Sequence, residues 1–367
     1  MEDSLLITVP PDLPAQPPPD LPAPDVRQLA ALTDDTGLFQ HALYATPDPN
    51  HGYCVDDNAR ALIAAVRLHE HDPALLAGLA AARYLQFVIY AYDDATGRFR
   101  NFMGYDRRWL EDVGSTDSQA RSLWSVAVAA TGYPDPNDRD HMADVFGRAM
   151  RGVGAFDSPR SQAFVVLALD AWLGSHPGDA AAEGLLARYA DALRDGFAKR
   201  ASPAWRWFER IVAYDNARLC EALLVAGQRL SRRDLVDVGL SSLRWLIDRQ
   251  TAEAGHLTVV GNGGWLVPDR PVAKFDQQPL EAHALVDACL SAARVSGDDG
   301  WRRAAAWAFA WFHGHNDLGL SLIDPHNGGC RDGLQPAGVN RNQGAESTLA
   351  YLGALLAMHA DRRGETG

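Results

Sequence analysis

A chain of 367 residues with 47% hydrophobic content is long enough for one large domain or two ordinary ones, with a sizeable core. Its formal charge of −13 disfavours a phosphate-tracking surface, because nucleic-acid and anionic-membrane binders cluster Lys and Arg. Nucleic acid is excluded as a partner on that ground, and no apolar run reaches membrane-spanning length.

Cys54, Cys220, Cys289 and Cys330 stand far apart and form no CxxC pair, so neither a disulfide framework nor a structural zinc site is expected. Reduced thiols, and an N-terminus that is acidic at Glu2 and Asp3 rather than basic and then apolar, predict a cytoplasmic protein. Residues 1–24 are dense in proline, which removes amide donors and extends the chain, so they are predicted to form an arm or linker. Residues 25–367 are predicted to form one domain.

From residue 25 onward nearly every long segment has helical spacing and alternating strand patterns are scarce. Residues 25–42 supply a first helical segment. DDNARALIAAV from Asp56 opens a helix with a polar cluster, and PALLAGLAAARYLQFVIYAY from Pro73 follows as its partner. The same alternation repeats with STDSQARSLWSVAVAA from Ser115 and NDRDHMADVFGRAM from Asn137, then DSPRSQAFVVLALDAW from Asp157 and GDAAAEGLLARYADALRDGF from Gly178. It continues with YDNARLCEALLVAG from Tyr214 and RRDLVDVGLSSLRWLIDRQ from Arg232, then DQQPLEAHALVDACL from Asp276 and DDGWRRAAAWAFAWFHG from Asp298, and ends at NQGAESTLAYLGALLAMHA from Asn342.

The anchors Asp57, Asp117, Ser161, Asp215, Gln277 and Gly344 lie 60, 44, 54, 62 and 67 residues apart, room for two helices per repeat. Six hairpins predict an all-α (α/α)6 toroid, with one helix of each pair inside and the other outside. The open alternative is a superhelical solenoid, which needs polar capping helices and usually a tighter period. Turns from each polar-start helix to its partner are short, whereas the returns are long, so the long loops gather at one end of the ring.

Asp, Ser and Asn at helix starts are preferred caps, and any one cluster is explained that way. Six clusters facing one cavity, with aromatic residues in the intervening loops, point instead to a ligand site. Tyr53, Trp205, Trp207 and Trp265 offer flat apolar faces, while Asn58, Asp117, Gln277, Asn342 and Glu346 offer directional hydrogen bonds. Sugars present C–H faces and rims of hydroxyls, so the expected partner is a carbohydrate substrate.

Breaking a glycosidic bond takes a protonated acid at the leaving oxygen and a second carboxylate to activate water or attack. The predicted catalytic set is Asp57, Glu209, Asp215 and Asp276, with Glu209 the acid because Trp207 and Phe208 flank it. Asp57, Asp215 and Asp276, beside polar neighbours, are expected to stay ionised. Glu281 and Glu346, a turn inside their helices, rank as capping-box residues. His283 is either a proton carrier or a satisfied core imidazole. GNGG at 261–264 does not follow a strand and open a helix, so no phosphate cradle is expected. The reading calls for no metal and no cofactor.

YCVDDNARAL, WRWFERIVAYDNARL, KFDQQPLEAHAL and GVNRNQGAESTLAYL resemble the six-hairpin glycosidase superfamily, and more narrowly a bacterial group often encoded with, or fused behind, sugar-nucleotide glycosyltransferases. The resemblance spans roughly residues 30–360 and implies a carbohydrate-active toroid, a glycosyltransferase as a partner, and an arm that is the remnant of a linker. The leading expectation is a metal-independent, inverting glycoside hydrolase, with phosphorolysis open. Related toroids include sugar 2-epimerases, which move a proton with histidines, and His51, His256, His283 and His313 fall near the loop end. A non-catalytic glycan-binding partner of a glycosyltransferase is the third expectation.

Overall fold

The computed structural model describes residues 21–364. The first twenty residues of the predicted arm lie outside that range; its end packs on the ring, where the Pro22 carbonyl accepts from His359 Nε2 at 2.9 Å. The described residues form thirteen helices: α1 (Arg27–Ala31), α2 (Val55–His71), α3 (Pro73–Leu76), α4 (Ala81–Ala91), α5 (Thr116–Gly132), α6 (Pro136–Met150), α7 (Pro159–Ser175), α8 (Ala180–Arg200), α9 (Ala217–Arg229), α10 (Arg233–Arg249), α11 (Pro279–Ser296), α12 (Gly300–Ala310) and α13 (Ala345–Arg362).

The helices α2, α5, α7, α9, α11 and α13 each touch the next, and α13 returns to touch α2, so the inner ring is closed. Outside it, α4, α6, α8, α10 and α12 back onto the inner helix that precedes them, and the short α1 backs α13. The result is the (α/α)6 toroid, with residues 25–42 supplying the sixth outer partner through α1.

Composition follows position. The inner helices are covered on nearly every side, and α11 accordingly carries Ala282, Ala284, Ala288, Ala292 and Ala293, small residues of high helix propensity that let neighbouring helices approach. Outer helices bury a single stripe. On α10, Leu235, Leu243, Leu246 and Ile247 recur at helical spacing and face inward. Ser115 and Ser158 cap α5 and α7 by accepting from the amides of Ser118 (3.1 Å) and Ser161 (3.3 Å), and Asp135 and Asp179 do the same for α6 and α8. At the far end of α11, Gly297 takes the left-handed conformation, φ +70°, that terminates the helix.

One helix is interrupted where the sequence pattern runs on. The segment from Pro73 splits into α3 and α4 around Gly78, whose lack of a side chain weakens the helix, and Ala80, which leaves helical geometry at ψ 54°. The long returns carry four two-stranded antiparallel ribbons: β1 (Ala42–Leu43) with β2 (Thr46–Pro47), β3 (Tyr53–Cys54) with β6 (Phe102–Met103), β4 (Tyr92–Asp93) with β5 (Arg98–Phe99), and β7 (Gly333–Gln335) with β8 (Gly338–Asn340). Strands of two or three residues are too short to show alternation in sequence.

The β3–β6 ribbon ties the entry of α2 to the loop before α5, and Gly52 makes that close approach possible. Its φ is +61°, and a Cβ there would lie 2.2 Å from the Met103 carbonyl oxygen. Gly52→Ala should therefore cost more than about 1 kcal/mol of folding stability in a denaturant titration, whereas a tolerated alanine there would show that the ribbon readily shifts.

Candidate active site

The long loops and the starts of the inner helices enclose a bowl of about 460 Å³ at one end of the ring. Its wall includes Asp56, Asp57, Asp117, Asp276, Asp332 and Glu346, together with Gln40, His41, Arg60, Asn101, Phe102, Arg121, Tyr214 and Asn340. Asp56 and Asp57 stand in the first turn of α2, where the positive end of the helix dipole favours acidic groups.

The floor is a chain of alternating charges that crosses from helix to helix. Glu346 on α13 accepts from Arg60 on α2, and Arg60 also meets Asp56 at 3.0 Å and Asp57 at 3.7 Å. Arg121 on α5 bridges Asp56 to Asp215, the latter at 2.7 Å. Arg218 on α9 then joins Asp215 (3.6 Å), Glu221 (2.6 Å) and Asp287 (2.7 Å), and Asp287 meets His283 Nε2 at 3.2 Å. Burial alone would raise the Asp215 carboxyl, but Arg121, Arg218 and Arg60 outweigh it and hold that group below the usual carboxylate range. Burial pulls the His283 imidazole down against the opposing Asp287 charge, so it stays neutral at pH 7.

Arg60, Arg121 and Arg218 are the residues that sequence reasoning missed. Their signal is a recurring Ala–Arg pair, Ala59–Arg60, Ala120–Arg121 and Ala217–Arg218, each placed a turn below a polar anchor.

Most bowl carboxylates are held by donors. Asp117 accepts from Tyr214, Ser161 and Ser158, the last at 2.8 Å; Asp332 accepts from the Gly344 amide at 2.9 Å; Asp56 and Glu346 are bound by arginines. Among the described residues, Asp57 and Asp276 differ, because neither side chain accepts a hydrogen bond from the protein. Asp57 is only 7% exposed, and burial pushes its carboxyl up to about 8, with Arg60 opposing and Glu346 and Asp56 reinforcing. Burial also raises Asp276, to a smaller extent. The oxygens of Asp56, Asp57 and Glu346 come within 4.8 Å of one another, but the Arg60 guanidinium already supplies the cation among them.

No family model and no curated protein matches the chain. Solved structures do. A sugar epimerase from a ruminal bacterium matches with TM-score 0.72 and 13% identity over 94% of this chain and 97% of that one. Cellobiose 2-epimerase from Bacillus thermoamylovorans B4167 matches with TM-score 0.69 and 13% identity over 93% and 96%. An inactive variant of an α-1,6-mannanase of Salegentibacter sp. HEL1_6, with two consecutive aspartates replaced by alanine and α-1,6-mannotetrose bound, matches with TM-score 0.58 and 12% identity over 90% and 95%. The fold these structures share with the chain is the (α/α)6 toroid. Identities this low establish the fold alone.

Within this six-hairpin toroid the sequence-predicted residues separate. Asp57, Asp117, Asp276 and Glu346 line the bowl. Asp215 and His283 lie beneath it, beside a small axial cavity of about 40 Å³. Glu209 is outside the bowl wall, and its carboxylate is bound by Arg160, which also donates to the Tyr214 carbonyl at 2.6 Å. The neighbouring aromatic residues predicted to surround it pack away from it: Trp207 is fully buried and stacks on Trp245, while Phe208 packs edge-on to Phe197. Among the bowl carboxyls, Asp57 is the one that burial raises most. Glu209→Gln is therefore expected to change turnover by no more than about threefold, because its carboxylate faces Arg160 rather than the bowl; a loss of a hundredfold would restore it to the catalytic set.

The other predicted contacts are mostly structural. Tyr53 is buried, stacks on Phe39 and donates to Asp34 at 2.6 Å. Asn58 accepts from the Leu38 amide at 3.0 Å. Trp205 donates to the Glu209 carbonyl at 2.7 Å, and Trp265 sits at φ +60° in the 250–278 loop. Gln277 accepts from Trp311 Nε1 at 3.0 Å and donates to Asp317 at 2.6 Å, and Asn342 accepts from the Tyr44 amide at 2.9 Å. None of these side chains lines the bowl. Glu281 is a cap, but for its neighbour: it accepts from the amides of Asp215 and Asn216 ahead of α9, and burial raises its carboxyl to about 7.

Proposed function

We propose that the bowl cleaves a glycosidic bond of an oligo- or polysaccharide, with Asp57 as general acid and Asp276 as the base that activates water. One observation carries the reading: Asp57 is a bowl carboxyl that burial keeps protonated at neutral pH and that accepts no hydrogen bond from the protein, Arg60 standing off at 3.7 Å, so its proton is free for a leaving oxygen. Asp276 shares the cavity, carries no counter-ion among the described residues, and is the more readily ionised of the two. Water deprotonated by Asp276 would attack the anomeric carbon while Asp57 protonates the departing oxygen, a single displacement with inversion.

The mannanase variant that shares this fold was inactivated by replacing two consecutive aspartates, and Asp56–Asp57 is a consecutive pair in the bowl wall of this chain. Asp56, paired to Arg60 and Arg121, serves to position Arg60 beneath Asp57. The proposal requires neither a metal nor a glycosyltransferase partner.

Epimerisation is the second reading, favoured by the likeness to two sugar epimerases. It needs a base at the C2 proton. The bowl wall holds one imidazole, His41, while His283 is engaged by Asp287 below the floor. Incubation with manno- and gluco-oligosaccharides in deuterium oxide separates the two: hydrolysis yields shorter sugars without C2 deuterium, and epimerisation yields a deuterated sugar of unchanged length.

The pH profile carries a sign. An acid whose carboxyl titrates near 8 is protonated below that value, so kcat/KM should fall as pH rises through about 8. A base raised above the ordinary carboxylate value gives the acidic limb, with activity lost as pH falls through it. A profile flat from pH 6 to 10 would contradict the assignment of Asp57.

A further inference from the structure

We propose that Tyr44 and Arg341 form a sugar-stacking subsite on the lip of the bowl, so that the substrate is a pyranose chain longer than the bowl itself. The inference rests on the glycan-cleaving function of the bowl and extends it to substrate class.

Tyr44 lies at the tip of the β1–β2 ribbon and is 56% exposed, a large aromatic surface left open to water. Its backbone sits at φ +54°, a conformation costly for a residue with a bulky side chain. The surroundings hold it there from both sides: Asn342 Oδ1 accepts from the Tyr44 amide at 2.9 Å, and the Gln343 amide donates to the Tyr44 carbonyl at 2.8 Å. An exposed ring fixed on a strained but pinned backbone is a preorganised platform, and nothing in the packing of the ring requires it.

The guanidinium of Arg341 lies 5.4 Å from the centre of the Tyr44 ring and pairs with no carboxylate among the described residues. Most arginines of the bowl floor are bound by acids, so an unpaired one beside an exposed aromatic ring keeps its donors available. A pyranose presents an apolar C–H face suited to the ring and hydroxyls suited to those donors.

The platform is continuous with the bowl. Gln40 and His41, just before Tyr44, and Asn340 and Gly344, on either side of Arg341, all line the cavity, and the Ala345 amide joins the two segments by donating to the Gln40 carbonyl at 3.0 Å. A chain seated in the bowl with its scissile bond at Asp57 would leave over this lip.

The test is calorimetric titration of the full chain and its Tyr44→Ala and Tyr44→Phe variants with hexasaccharides and disaccharides of the manno and gluco series. The hexasaccharide of the recognised series should bind more tightly than its disaccharide. Tyr44→Ala should weaken the hexasaccharide by about tenfold and leave the disaccharide within about twofold, while Tyr44→Phe keeps both. Equal losses for the two lengths, no loss for the hexasaccharide, or no hexasaccharide binding would each overturn the subsite. Product analysis on the same samples addresses the bowl separately: length-dependent binding without bond cleavage refutes the hydrolase function and leaves the subsite standing.

Discussion

Asp57→Asn is expected to lower turnover of an oligosaccharide by about a thousandfold, the size of effect that a positioned general acid contributes. The loss depends on the leaving group. A glycosyl fluoride departs without a proton, so the same variant should retain most of its activity on the fluoride, and the alkaline limb near pH 8 should vanish from the remaining activity. The comparison separates catalysis from folding, since a misfolded variant loses both substrates together. Asp276→Asn should show the complementary pattern, losing activity on both substrates because the attacking water still needs its base. Chromatographic product analysis with the two substrates, at pH values from 5 to 9, checks all four outcomes.

Arg218→Met is expected to destabilise the toroid by about 3–5 kcal/mol, the cost of stripping a counter-ion from buried charges. Arg218 is 3% exposed and is shared by Asp215, Glu221 and Asp287, all themselves buried. With the guanidinium gone, Asp215 keeps Arg121, but Glu221 loses its ion-pair partner and faces Asp287 in a low-dielectric interior, so at least one carboxyl takes up a proton. The sign follows from that uptake. The folded variant binds protons that the unfolded chain releases above the ordinary carboxylate range, so its stability deficit should grow as pH rises from about 5 to 8. Chemical denaturation of both proteins at several pH values measures this, and a deficit that stays below about 1 kcal/mol throughout would show that the floor is a wet, screened cluster.

Much of the architecture was legible because repetition is a strong signal. The six anchors each fall within three residues of an inner-helix start, and the difference between short turns and long returns fixed which end of the ring carries the bowl. The interruption at Gly78 was harder to see, since one glycine in an alanine- and leucine-rich segment weakens a helix without announcing where it stops. The candidate site was legible as a neighbourhood. Asp57, Asp117, Asp276 and Glu346 do converge on one cavity, because the inner-helix starts gather at one end of the ring, although Asp215 and Gln277 at the same level turn into the protein instead.

The protonation roles were not legible, and the reason is physical. A carboxyl's titration depends on what lies across the cavity from it, which local sequence does not contain. Glu209 sits between aromatic and basic residues in the chain, yet Arg160, 49 positions away, binds it. Asp57 has polar neighbours in sequence, yet the ring buries it against Glu346 from the opposite end of the domain. Tryptophans mislead for a related reason: in a large toroid most flat faces are spent between layers, as Trp207, Trp301 and Trp311 are, all fully buried.

A crystal of Asp57→Asn soaked with manno- and gluco-oligosaccharides tests the central claim most directly. The account predicts a chain bound in the bowl with one glycosidic oxygen within hydrogen-bond distance of residue 57, and with Asp276 on the far side of the adjoining anomeric carbon, a water between them. Sugar bound elsewhere on the ring, or seated in the bowl with residue 57 touching only protein, would contradict it.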